Sequence, residues 1–89
     1  MTREEIEEFV EEHYPNSTFI LADGLDEAFI GVTSLNENYE PVAVYSIEDC
    51  IKVFIKQGMK PDEAFEYFSF NVESAYVGEG TPLFINTPE

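Results

Sequence analysis

Val42-Ala43-Val44-Tyr45-Ser46-Ile47-Glu48-Asp49 decides how this chain folds, because strand chemistry gives way to helix chemistry within it. Val42 through Tyr45 is dense in β-branched and aromatic side chains and reads as a strand. Ser46 followed by Asp49 is an S-x-x-D capping signal, so a helix opens at once, runs over 47–57 and stops at Gly58. Ile47, Ile51, Phe54 and Ile55 give that helix its apolar face. A strand feeding directly into a capped helix marks an α+β domain.

On the N-terminal side of this stretch, residues 28–33 read as a strand. Thr18-Phe19-Ile20-Leu21-Ala22 reads as another, and Asp23-Gly24-Leu25-Asp26 supplies turn chemistry between them, so a hairpin is expected. Before that hairpin, Thr2 and Glu5 form a capping box for a helix over 3–13. Ile6, Phe9, Val10 and His13 share one face, and Glu4, Glu8 and Glu11 lie opposite. Toward the C-terminus, Pro61 suits a first helical position, with Met59 and Ala64 placed as a hydrophobic staple. Ala64, Phe65, Phe68, Val72 and Ala75 form the third helix's apolar set, and Phe70 also reads as core. Asn71 is placed to bond the backbone near the helix end. Thr81-Pro82-Leu83-Phe84-Ile85 suits an edge strand that begins at a proline. The expected order is α-β-β-β-α-α-β, a single domain over 1–89 with a mainly antiparallel sheet and helices packed on one face.

Charge bounds the function. Nineteen Asp and Glu face 4 Lys and Arg, a net charge of −15 on 89 residues. Direct nucleic-acid binding is disfavoured, because phosphate repels the chain and four basic side chains are too few to release counterions against that repulsion. An anionic membrane surface is disfavoured for the same reason. Such a field steers the chain toward basic protein surfaces. With 44% apolar residues, the chain has material for a core and is read as folded. The lone Cys50 forms no internal disulfide and sits near an apolar helix face, which makes it a buried, inert thiol. No signal-peptide pattern and no apolar run of membrane-spanning length occurs, so a cytoplasmic protein is expected.

The outward carboxylates Glu4, Glu8 and Glu11 repeat every ~5 to 6 Å, a sparse copy of the one charge per ~1.7 Å of duplex DNA. Asp23, Asp26 and Glu27 extend the anionic surface if they fall beside them. Tyr76 with Glu79 offers an aromatic anchor next to a further acid. These eight residues are the candidate partner-binding set. Lys52 and Lys56, one turn apart after Glu48, read as ordinary helix-surface pairing. Asp23-Gly24-Leu25-Asp26-Glu27 lacks the glycine and the bidentate glutamate of a calcium loop, and His13 has no second nitrogen or sulfur donor near it in sequence. No phosphate loop, nucleophile elbow or metalloprotease motif is present. No catalytic residue, metal ligand or cofactor is therefore assigned, and a non-enzyme is expected.

Asp23-Gly24-Leu25-Asp26-Glu27-Ala28-Phe29-Ile30-Gly31 and the ending Phe70-Asn71-Val72 through Ala75-Tyr76-Val77-Gly78-Glu79-Gly80-Thr81-Pro82-Leu83-Phe84 resemble a family of small phage-encoded proteins. The resemblance runs from Leu21 to Phe84, with Ser74 departing from the family's glycine and the acidic first helix outside it. It implies a viral origin and residence in the host cytoplasm, and it assigns no activity. Joined to the charge, it leads to the expectation of an acidic inhibitor of a basic host protein, such as a defence or nucleic-acid-processing enzyme. The alternatives are a small structural phage protein that self-associates into a homo-oligomer through its sheet edge, and a carboxylate-based metal-binding regulator.

Overall fold

Ser46 is the joint between sheet and helix in the computed structural model, which describes residues 1–33, 40–73 and 80–88. It ends β2 (Val42–Ser46) and caps α2 (Ile47–Lys56), its hydroxyl accepting the Asp49 N–H at 3.2 Å. β2 is the central strand of three, flanked by β1 (Phe29–Thr33) and β3 (Leu83–Ile85). β1 pairs antiparallel, with a bulge between Phe29 and Gly31, and β3 pairs parallel. The sheet is thus mixed rather than mainly antiparallel. The cause is topological: α2 and α3 (Pro61–Phe68) intervene between β2 and β3, and such a helical crossover returns the chain in its original direction.

The expected strand over 18–22 does not form, so the order among the described residues is α-β-β-α-α-β. The backbone there is committed elsewhere. The Ala22 N–H donates to the Tyr45 hydroxyl at 2.9 Å, and Leu25 N–H closes a turn onto the Ala22 carbonyl, with Gly24 at φ 82°. A 3-10 turn, Asp26–Ala28, then leads into β1. Residues 18–22 are apolar because Leu21 and Ala22 pack on the core, not because they join the ladder.

Tyr45 centres that core. It is fully buried, stacks on Phe84 (5.5 Å between ring centres) and meets Phe29 edge-on at 5.8 Å. Phe68 meets Phe84 edge-on, and Phe9 of α1 (Arg3–His13) meets Phe29 edge-on. This row of rings ties all three strands to the first and third helices, and offset or edge contacts of this kind add to the burial of the rings themselves. α2 contributes Cys50, Val53 and Phe54, with Ile47 and Ile51 half-buried. Ile55, expected in the core, is 38% exposed, because it lies about 100° further round the helix than Phe54.

α3 starts as expected at Pro61, where the Lys60 N–H donates to the Glu63 carboxylate at 3.2 Å. Ala64 and Phe68 are buried and Val72 packs beside them. After Phe68 the helix widens into a π turn, Ser69–Glu73, and Asn71 donates its side-chain amide to the Tyr67 carbonyl at 3.2 Å. The wider turn keeps Val72 in line with Ala64 and Phe68. Phe65 and Phe70 fall off that line and are 58% and 78% exposed, contrary to the core reading. In α1 the Thr2–Glu5 capping box is complete and Ile6 is fully buried. His13 is exposed rather than packed inside, its ring lying 4.6 Å from that of Phe9.

Candidate functional site

α1 presents its glutamates because burial of Ile6 fixes its rotation. Phe9 and Val10 are half-buried beside Ile6, so Glu4, Glu8 and Glu11 emerge on the solvent side. Among the described residues no cation pairs with any of these three. The row spans roughly 10 Å at 1.5 Å rise per residue, the axial length of about three phosphate steps on one nucleic-acid strand. Glu5 is exposed too, but it is occupied: its carboxylate accepts the Thr2 N–H, which holds its pKa below the ordinary 4.5.

Asp23, Asp26 and Glu27 do not extend this surface as free carboxylates. Arg3 reaches across from α1, with its Nη1 2.9 Å from Asp23 Oδ1 and 3.9 Å from Asp26 Oδ1. The Asp23 bond raises the Arg3 pKa, so the guanidinium stays charged. Asp26 Oδ1 is shielded from solvent without a hydrogen bond among the described residues, its only ionic neighbour there being Arg3. The positive charge between these two aspartates is therefore supplied by the chain itself. Glu27 turns the other way, to Lys56 Nζ at 3.2 Å on α2. Lys52 pairs with Asp49 at 3.8 Å rather than with Glu48. Tyr76 and Glu79 lie outside the described residues.

Glu48 has a structural task. Its carboxylate accepts the backbone N–H of Thr87 (3.1 Å), and hydroxyl contacts from Thr87 and Ser46 close the network. The Thr87 N–H is the main reason its pKa falls below the ordinary 4.5. The network ties the residues after β3 to the N-terminus of α2. Cys50 is fully buried, and burial, with a smaller contribution from Asp49, pushes its thiol up to about 12. A thiol so placed stays protonated at neutral pH and is a poor nucleophile.

Two further features bear on chemistry. An open cavity of about 220 Å³ lies between Leu21, Ala22, Leu25, Val72, Pro82 and Phe84, and its lining is mainly apolar, with Asp23 and Asn71 also contributing. Among the described residues no group of three or more His, Cys, Asp or Glu is arranged to hold a metal ion, and no helix is long and apolar enough to cross a membrane. What these residues build best is an anionic helix face.

Sequence reading did not anticipate the Arg3 clamp or the Glu27–Lys56 pair, which join residues far apart in the chain. It also passed over an apolar outer sheet face at Leu83 and Ile85. The signal for that face was present: Val42-Ala43-Val44-Tyr45 and Leu83-Phe84-Ile85 are continuous apolar runs, where a half-solvated sheet gives alternation.

Comparison of the chain with protein-family models, with curated proteins and with solved structures returns no match.

Proposed function

We propose that this chain is an acidic, non-enzymatic phage protein that binds and inhibits a basic host protein by occupying its phosphate-binding surface. The observation that carries the reading is the row Glu4, Glu8 and Glu11, exposed and unpaired among the described residues, on a chain of net charge −15. Asp23, Asp49, Glu27 and Glu48 are matched internally, by Arg3, Lys52, Lys56 and the Thr87 N–H respectively, whereas this row, aligned on one helix face, has no partner among the described residues. A field of that size speeds encounter with a cationic groove, and the helix then places carboxylates where phosphates would sit.

Capture from bacterial lysate treated with nuclease tests the reading. The expected partner is basic, is released by rising salt and loses its nucleic-acid substrate when this chain binds. Capture of nothing basic, or of a partner whose binding ignores salt, counts against it. Self-association by strand pairing has little support, since both edges are blunted: β1 carries a bulge, and β3 is three residues long and preceded by Pro82.

A further inference from the structure

α1 carries a second line of side chains beside the glutamate row. Glu7, Val10, Glu11 and Tyr14 stand at i, i+3, i+4 and i+7, so they share one flank of the helix and its end. Glu11 belongs to both lines. At Tyr14 the helix stops, and the Ser17 N–H donates to the Tyr14 carbonyl at 3.1 Å, which turns the chain back. Phe19 and Leu21 then line the same open cleft of about 370 Å³, with the Tyr14 and Phe19 rings edge-on at 5.8 Å. Both rings are half-buried, while Glu7 and Glu11 are exposed.

The lining fits a cation with an apolar stem. Glu7 lies 4.0 Å from Arg3 Nε, too far for a hydrogen bond, and Glu11 has no cationic partner among the described residues. Arg3 stands at the cleft too, but its Nη1 is turned to Asp23, 2.9 Å away. The Tyr14 and Phe19 rings add surface that attracts a cation. Val10, Glu11 and Tyr14 also lie toward the C-terminal end of α1, the negative end of the helix dipole.

We propose that this cleft seats one arginine side chain of the basic partner. The proposal rests on the reading of α1 as a contact for a basic protein, and it names the side chain that anchors that contact. A purely apolar guest would cover Glu7 and Glu11 without pairing them, which costs free energy. Arginine fits better than lysine. Its planar guanidinium lies flat on a ring, is weakly hydrated, and carries enough N–H donors for two carboxylates one turn apart, whereas an ammonium is compact and strongly hydrated. Its methylene stem covers Val10 and Leu21.

NMR titration of the full chain at low salt with Nα-acetyl-arginine amide tests this, with Nα-acetyl-lysine amide as the comparison at equal ionic strength. Saturable shifts centred on Glu7, Glu11, Tyr14 and Phe19 are expected, with the lysine compound binding about threefold more weakly or worse. Glu7→Gln with Glu11→Gln should weaken arginine binding by about fivefold. Tyr14→Leu, which keeps apolar bulk and removes the ring, should weaken it by about threefold. The wild-type shift map requires no variant, so a variant that misfolds leaves the test in force. Shifts spread over carboxylates across the whole surface, equal binding of the two compounds, or unchanged affinity in the folded double Gln variant would overturn the proposal. The blocked amino acid tests the cleft without any host protein, so failure here is distinct from failure to capture a basic partner. A captured basic partner whose affinity is unchanged by Tyr14→Leu and by Glu7→Gln would likewise overturn the cleft while leaving the glutamate row standing.

Discussion

Replacing Tyr45 by phenylalanine removes a single oxygen and leaves every ring contact of the core in place. Tyr45 is fully buried, and its hydroxyl accepts the Ala22 N–H at 2.9 Å. That bond diverts residues 18–22 from the sheet and holds Leu21 and Ala22 against the core. In Tyr45→Phe the Ala22 N–H loses its acceptor. An unsatisfied buried donor costs about 1–3 kcal/mol, and Ala22 is only partly buried, which places the loss near 1–2 kcal/mol. For a domain of this size each kcal/mol moves Tm by roughly 4–8 °C, so a drop of roughly 5–15 °C is expected. Thermal and urea unfolding followed by circular dichroism read it, with the urea m-value unchanged because the same surface is exposed on unfolding. Hydrogen exchange at Ala22 should accelerate in the same variant. Wild-type stability together with unchanged Ala22 exchange would refute the role given to this bond.

Cys50 should resist alkylation at neutral pH in the native protein and react readily in denaturant; fast labelling of the folded chain would contradict its burial and raised pKa. Glu48 has a lowered pKa, so its contribution is complete above 4.5, its ordinary value, and is lost as pH falls through the folded value below that. Glu48→Gln should therefore be less stable than wild type near neutrality and converge with it in acid, and a gap that persists in acid would contradict the Thr87 network. Calcium at millimolar concentration should leave Tm nearly unchanged, since Arg3 already lies between Asp23 and Asp26. A large saturable shift, abolished by Asp26→Asn, would reverse that assignment.

Local signals in the sequence were read well wherever the physics is local. The Thr2–Glu5 box, the Ser46 cap, Pro61 at a helix start and Gly58 after α2 each involve residues within a turn of one another, and each stands where expected. Pairing across the sheet was harder. That β3 lies parallel beside β2 depends on the path of two intervening helices, and nothing in Leu83-Phe84-Ile85 encodes it. Residues 18–22 misled because an apolar run satisfies a core-lining coil as well as a strand, and the deciding acceptor, the Tyr45 hydroxyl, lies 23 residues away. The same distance problem governs the acidic residues. Their number is plain from composition, but whether a given carboxylate is free depends on Arg3 and Lys56 reaching across the fold. Of the described candidate positions, Glu4, Glu8 and Glu11 keep an unpaired face, while Asp23, Asp26 and Glu27 are drawn into internal pairs.

The most direct test of the acidic-helix account compares the partner binding of wild type with that of Glu4→Gln/Glu8→Gln/Glu11→Gln across a salt series. Glutamine is a good helix former and these positions face away from Ile6, so the fold should persist, as circular dichroism can confirm. The account predicts weaker binding by the variant, with the loss mainly in association rate, a shallower salt slope, and convergence of the two proteins at high salt. Equal affinity and an equal salt slope in the triple variant would contradict it and reduce the glutamate row to a solvated helix face.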